Sequence, residues 1–370
     1  MATKKPIVFE VVQPNRLVLP PPLERPLLAN APGTLLSDLE RYDSKTLFYD
    51  VWIAQDTLWL IGPPLLSLET TPLSVQCNGQ PLELQLERVA AESEKLLIWH
   101  ARVPDVRPLN QVLVQFGDAA SRLELAPYEP PTQARRILTT LQKDNRVEWI
   151  ADWIAWYAHH YAIDAVVLYD NASAEQQHLP GRLANALQPR LQPCSLQQVS
   201  VVQWNAPYGL IVNFNHANFF CQHGSLNHCP RRFARRGDTI LNFDIDELLF
   251  CKPSLLASIA EYKLLSFDSY WVPMPKDIEP GYSFATFKHR ERKARGTCHK
   301  YAVLWQGDQQ LCVHYVVGAT PHHVPVELGY YLHYRGISTF WKEAVMRVGA
   351  AKAEAQQRRA AVNAWLLTEI

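Results

Sequence analysis

A chain of 370 residues with 36 basic and 36 acidic side chains carries no formal net charge, which argues against a dedicated binder of nucleic acid or another polyanion. The length predicts two domains, each with enough chain for its own core. A hydrophobic content of 48% with 11 Trp and 15 Tyr suits large cores and ring surfaces of the kind sugars stack on, and most of these rings are expected inside.

The start, Met1 to Pro6, is basic but is followed by no apolar run long enough for a signal sequence or a membrane span. The expectation is a cytoplasmic protein without a transmembrane segment that can still touch a membrane surface. Seven cysteines at positions 77, 194, 221, 229, 251, 298 and 312 include no C-x-x-C pair, which favours reduced thiols over a disulfide framework.

Residues 1 to about 30 are Pro-rich and read as an extended lead-in. Short apolar runs follow at Leu47–Ile53, Thr57–Gly62, Leu73–Cys77, Leu82–Leu86, Lys95–His100 and Val112–Phe116, separated by turn signals such as Gly62-Pro-Pro and Asn78-Gly. Their alternation predicts an antiparallel β-sandwich over residues 1–130. Past the Pro-containing linker at Tyr128–Thr132 the texture becomes strand-helix-strand. Strands are predicted at Arg136–Gln142, Ala165–Tyr169, Gln198–Trp204 and through Leu241–Phe250, and helices at Val147–Tyr161, Pro180–Leu187 and Asn215–Arg236. A further helix around Ser254–Tyr262 precedes strands at Leu265–Val272, Lys300–Trp305, Leu311–Val316 and Tyr330–Arg335. A polar, Ala-rich helix is predicted over roughly Phe340–Leu367. The fold class is therefore α/β, with a mainly parallel sheet flanked by helices over residues 131–340, an N-terminal sandwich and a C-terminal helix over 341–370.

Ligands of such sheets bind at the carboxyl ends of the strands, where Asp144, Asp170, Asp244 and Asp246 are all placed by this reading. If Leu241–Phe250 is one strand, Asp244 and Asp246 point the same way. Two ionised carboxylates there ask for a cation, and a divalent metal that also holds phosphate oxygens meets that need. The bland alternative is a strand end whose acids meet water. Arg231, Arg232, Arg235 and Arg236 read as the solvent face of a helix C-terminus, and the basic stretch Lys288–Arg295 as a solvated loop. Cys221, His223, His228 and Cys229 lie on one helix at spacings that do not converge on a zinc ion.

An ordered series of blocks resembles glycosyltransferases of the GT-A type, family 92 and its bacterial family 2-like relatives: Asp152-Trp153-Ile154 with His159 and His160, Leu168 to Ser173, Gln222, Asn227-His228-Cys229, Asp244-Ile-Asp246-Glu247, Lys300-Tyr-Ala-Val, Val313-His314 and His333-Tyr334-Arg335. The resemblance covers about residues 136–340. It implies a GT-A, Rossmann-like domain and a metal-dependent transfer of a hexose such as galactose from a nucleotide-sugar donor, UDP-linked, to a glycan or glycolipid acceptor, with inversion. By the same resemblance Asp246 is a metal ligand and Asp244 contacts ribose or metal. Asp170 with Asn171, and Asp144 on the strand before, are expected at the nucleoside. His333 or His314 completes the shell of a Mn²⁺ or Mg²⁺ ion, with His333 favoured because Arg335 beside it can address phosphate. Inversion needs a general base, and Asp277 and Glu279 are the best-placed acids along the chain. The competing readings are a non-catalytic carbohydrate-binding protein and a D-x-D phosphatase. The phosphatase motif wants Thr or Val where this chain has Leu248.

Overall fold

The computed structural model describes residues 6–26, 42–90, 94–131, 133, 135–191, 194–209, 220–275, 281–337 and 359–361. Its centre is a ten-stranded, mostly parallel sheet. Val8–Val12, Gln198–Gln203, Ala165–Asp170, Arg136–Gln142 and Thr239–Asn242 lie side by side in that order, every neighbour parallel. The middle strands are mostly apolar, with only Thr139, Thr140 and Ser200 interrupting their interiors, and Ala165–Asp170 is buried along its whole length, as a strand covered on both faces requires. Beyond Thr239–Asn242 the sheet continues through antiparallel Arg295–Leu304, then Leu264–Val272, Gly329–Tyr334 and Glu247–Cys251, with His322–His323 off the path against Leu264–Val272.

Helix Val147–Tyr161 forms where its apolar spacing predicts it and covers one face of this sheet with Leu179–Leu187. Twelve of its fifteen residues are buried. Asp152 and His159 pin it to the chain that follows the second helix: Arg190 Nε donates to Asp152 Oδ1 at 2.7 Å, and His159 Nε2 lies 2.6 Å from the Arg190 carbonyl.

The opposite face carries helix Phe220–Phe233, itself covered by one sheet of the N-terminal sandwich. That sheet runs Asp50–Ala54, Thr57–Gly62, Glu94–Arg102, Gln85–Ala90, and its partner runs Ala119–Leu125, Asn110–Phe116, Leu73–Cys77, Gln80–Leu82, all antiparallel. One core, with Val51, Ile53, Leu58 and Leu97 facing Val75, Val112, Val114 and Phe116, fills the space between the two sheets. A second core joins Trp52, Ile61 and Ile98 to Cys221, Leu226 and Phe233 of the helix and to Val167, Tyr169 and Val202 of the central sheet.

Wedged between two sheets, helix Phe220–Phe233 cannot leave its polar side chains to water, and each finds a partner. His228, fully buried, sits between the Tyr169 hydroxyl at 2.7 Å and Asp50 at 2.9 Å. Asn227 binds both the carbonyl and the N–H of Leu311 at 2.8 and 3.0 Å. Gly224 is where Tyr49 and Trp204 close on the helix: a Cβ there would stand 2.8 Å from Tyr49 Cδ2 and 3.2 Å from Trp204 Cζ2. Gly224→Ala is therefore expected to destabilise the protein by about 1 kcal/mol or more in urea unfolding, because overpacking of this kind costs about 1–3 kcal/mol and exceeds the gain of up to about 1 kcal/mol in helix propensity.

Several sequence readings are corrected. The Pro-rich lead-in contributes Val8–Val12 as an edge strand of the central sheet, parallel to Gln198–Gln203. Two strands with a turn between them, Thr239–Asn242 and Glu247–Cys251, replace the single strand Leu241–Phe250. The helix at Ser254–Tyr262 is two short pieces, Pro253–Ala257 and Ile259–Tyr262. Leu311–Val316 makes one isolated bridge between its ends instead of a strand. Arg231 and Arg232 do not face solvent: Arg231 is buried against Glu87 at 2.8 Å and between the Trp59 and Trp305 rings, and Arg232 pairs with buried Asp50. Of the predicted C-terminal helix, Arg359–Ala361 is a strand paired with His289–Glu291 and the rest lies outside the described residues. Cys77, Cys194, Cys221, Cys229, Cys251 and Cys312 are free thiols.

Candidate metal centre

The acidic motif occupies the turn that carries the chain from a parallel strand, Thr239–Asn242, into an antiparallel one, Glu247–Cys251. The turn closes on itself through Glu247 N–H to the Asp244 carbonyl at 3.0 Å and Asp244 N–H to Glu247 Oε2 at 2.7 Å. A turn reverses the side chains differently from a strand, so Asp244 and Asp246 do not share a direction in the way a period of two would give. Asp244 points to Lys300, whose Nζ lies 2.9 Å from Asp244 Oδ2 and 3.3 Å from Glu247 Oε2. Asp246 points to His333, with Oδ2 3.1 Å from Nε2.

His333 reaches the motif through the sheet. Gly329–Tyr334 lies between Glu247–Cys251 and Leu264–Val272, pairing His333 with Glu247 on one side and Trp271 on the other. The Tyr334 N–H then donates to the Asp246 carbonyl at 2.8 Å and fastens the strand to the turn. Asp246, Glu247 and His333 each offer a donor atom within 4.8 Å of the others, and they are the one such group of three or more metal-ligating side chains among the described residues. Two carboxylate oxygens and an imidazole nitrogen suit Mn²⁺ or Mg²⁺, and the partly exposed Asp246 and His333 leave one side of the group open to further oxygen ligands.

The electrostatics reflect crowding. Burial pushes the Glu247 carboxyl up to about 7, against Lys300, which works to lower it, and with Asp244 and Asp246 adding to the rise. Partial burial opposes charge on His333, but Asp246 and then Glu247 outweigh it and raise its pKa. Lys300 is completely buried, and despite that burial Asp244 and Glu247 hold its pKa above the ordinary lysine value. A fixed internal cation therefore satisfies part of the acidic charge, and the remainder faces His333.

Of the other expected site residues, Asp170 and Asp144 come together. Gln142 is paired with Asp170 and Thr139 with Asn242, so Asp170 ends a strand two removed, at the same end of the sheet, from the one whose carboxyl end enters the acidic turn. Asp170 is buried, its carboxyl raised by burial although Ser173 works to lower it, and it accepts from the Gln142 amide and the Ser173 hydroxyl. Asp144 sits at a positive φ of 53° and accepts the Ala174 N–H at 2.7 Å, while its own N–H donates to Ser173 Oγ at 2.7 Å. The two acids thus form one loop end, joined through Ser173. Asn171 is employed elsewhere: its amide donates to the carbonyls of Trp204 and Ala206 at 2.8 and 2.7 Å and holds the adjoining loop. The Arg335 guanidinium stacks over Trp271 at 4.4 Å, and Trp271 in turn meets the His333 ring edge-on at 5.9 Å. His314 is outside the cluster, exposed, with Nδ1 3.0 Å from the His299 carbonyl. Asp277 and Glu279 lie outside the described residues.

Sequence reasoning assigned no part to Glu247 or Lys300. The signal for Lys300 is its company: a single lysine ahead of Tyr-Ala-Val-Leu-Trp in an apolar strand needs a buried acid.

No protein-family model matches the chain, and no curated protein does. Among solved structures it is similar to an amylomaltase from Corynebacterium glutamicum, at 7% identity over 32% of this chain and 20% of that one, with a TM-score of 0.15. The chain spans about a fifth of the length of that enzyme, and a likeness at this level carries no argument about fold or activity.

Proposed function

We propose that the protein is a metal-dependent glycosyltransferase of the GT-A type, moving a hexose from a UDP-linked donor to a glycan acceptor. One observation carries the reading: Asp246, Glu247 and His333 converge beyond the carboxyl end of a parallel strand, and the Asp170 and Asp144 loop lies at the same end of the sheet two strands away. A nucleoside held at Asp170 and Asp144 would extend its diphosphate along the strand ends toward that cluster. The ion held by Asp246, Glu247 and His333 would supply neutralisation of the departing diphosphate. Lys300 keeps the Asp244 side of the turn in place, and Arg335 on Trp271 sets a cation and a ring face beside the cluster.

The direct test is calorimetric titration with UDP, with and without Mn²⁺. Metal-dependent binding of UDP supports the reading, and equal binding in chelator, or none with the ion, refutes it. The ion itself should bind more tightly as pH rises through about 7. Glu247 holds its proton up to about that pH and must release it to become a ligand, so affinity for Mn²⁺ measured at pH 6 is expected to be several-fold below that at pH 8.

A second reading, a carbohydrate-binding protein without catalysis, draws on Lys300, which already neutralises part of the acidic turn. It predicts sugar binding that is indifferent to both UDP and Mn²⁺.

A further inference from the structure

Glu247–Cys251 is the last strand of the central sheet: Gly329–Tyr334 pairs with one side of it, and among the described residues no strand pairs with the other. Alternate residues of an edge strand turn their N–H and C=O groups outward, and groups of that kind that are buried need partners. Here the outward set is Glu247, Leu249 and Cys251, and the partners are side chains of helix Val147–Tyr161. The Tyr157 hydroxyl donates to the Glu247 carbonyl and accepts the Leu249 N–H, both at 3.1 Å. The Tyr161 hydroxyl repeats the pattern one step along, donating to the Leu249 carbonyl at 2.6 Å and accepting the Cys251 N–H at 3.1 Å. Trp156 Nε1 is a second donor to the Leu249 carbonyl, at 3.0 Å.

The fit comes from matching repeats. Four residues of helix rise about 6 Å and two residues of antiparallel strand about 6.8 Å, so hydroxyls four apart on the helix meet peptides two apart on the strand. Helix Val147–Tyr161 thus supplies a line of hydroxyls where the sheet would otherwise need another strand.

The two tyrosines differ in their relation to the metal centre. Tyr157 meets both ends of the acidic turn: its hydroxyl binds the peptide of Glu247, and its ring packs against Phe243, the residue before Asp244, with centroids 5.4 Å apart. Tyr157 and Phe243 are both fully buried. The hydroxyl of Tyr161 bonds only beyond the turn, at Leu249 and Cys251. Glu247 is the least exposed of the three cluster side chains, at 3% against 19% for Asp246 and 29% for His333, so its carboxylate goes where its backbone puts it.

We propose that Tyr157 is a positioning residue of the metal centre, fixing the peptide of Glu247, and with it the Glu247 donor atom, from the helix side of the sheet edge. This role rests on the reading of Asp246, Glu247 and His333 as ligands of a cation.

The test compares Tyr157→Phe with Tyr161→Phe in the full chain, because each variant keeps its ring and loses one hydroxyl with two bonds to the same strand. In chelator, hydrogen exchange at the Leu249 N–H is expected to run about ten-fold faster in Tyr157→Phe, and exchange at the Cys251 N–H about ten-fold faster in Tyr161→Phe. Both variants should unfold at lower urea concentration than the parent. Calorimetric titration of the folded proteins with Mn²⁺ then separates them. Tyr157→Phe is expected to lose about ten-fold in affinity, the low end of the range for residues that act through a metal ligand, and Tyr161→Phe less than about a third of that. A hydroxyl with a merely structural role would lower stability in both variants and leave the affinity of the folded chain unmoved. The proposal is overturned if exchange at Leu249 in Tyr157→Phe matches the parent, if Tyr157→Phe binds Mn²⁺ as the parent does, or if the two variants lose affinity equally. A parent that binds no Mn²⁺ refutes the cation ligands and this role with them, whereas a parent that binds it no better than Tyr157→Phe does refutes the role of Tyr157 alone.

Discussion

Asp246→Ala is expected to lower affinity for Mn²⁺ by 100-fold or more and to abolish the metal-dependent part of UDP binding, with little loss of stability. Asp246 supplies one of three donors in the cluster, and among the described residues its carboxylate is hydrogen-bonded to His333 Nε2 alone, at 3.1 Å. Its side chain is 19% exposed, so truncation leaves neither a deep cavity nor a stranded partner. Removing one of three protein ligands from a small divalent ion strips away a full charge as well as a bond, whereas loss of an outer-shell partner typically costs only 10–100-fold. His333→Ala should follow the same pattern more weakly, since it removes a neutral donor and leaves both carboxylates. Asp244→Asn separates this assignment from one based on the motif alone. If the ion sits among Asp246, Glu247 and His333, Asp244→Asn changes affinity for Mn²⁺ far less than Asp246→Ala; equal losses would return Asp244 to the ligand set. Isothermal titration of the three variants with Mn²⁺ in the absence of nucleotide decides the matter.

Much of the scaffold was readable from pattern. Helix Val147–Tyr161 and strand Arg136–Gln142 have the predicted boundaries, because their apolar periodicities are long and their ends are marked by polar residues. The acidic turn was less readable. Leu241–Phe250 has the composition of one strand, and nothing local says that the chain turns at Phe243–Asp246 to start an antiparallel strand at Glu247. That decision is made by Gly329–Tyr334, about 85 residues later, which offers Glu247–Cys251 its pairing edge. Contacts so distant along the chain leave no periodicity. The same holds for Val8–Val12, whose place beside Gln198–Gln203 depends on a strand 190 residues away. Buried polar residues misled in the opposite direction. Asn171, expected at the nucleoside, holds the loop at Trp204–Ala206 instead, and Arg231, read as facing solvent, lies buried with Asn227 on a helix squeezed between two sheets, where polar side chains must find partners inside.

Lys300→Met should be the most destabilising single change at the site and should reveal what the buried cation is for. Lys300 is fully buried between Asp244 and Glu247, and Glu247 is itself only 3% exposed. Taking one partner from a buried ion pair costs about 3–5 kcal/mol because the remaining charge is left in a poorly solvating site. The lower end of that range is the expectation here, since Asp244, at 30% exposed, keeps some contact with water. The sign of the pH dependence follows from Glu247. Its pKa is already raised to about 7 with Lys300 present, and loss of the lysine removes the influence that lowers it. An acid whose folded-state pKa lies above its unfolded value favours the folded state less as pH rises from the unfolded value toward the folded one. Lys300→Met is therefore expected to lose most stability above pH 7 and to approach the parent near pH 5, where the Glu247 carboxyl is protonated. Glu247→Gln in the same chain should recover much of the loss, since it removes the stranded charge. The double-mutant cycle in urea, in chelator, measures the coupling directly. A loss at pH 8 that Glu247→Gln does not reduce would show that Lys300 acts through packing of its aliphatic stem and not through its charge.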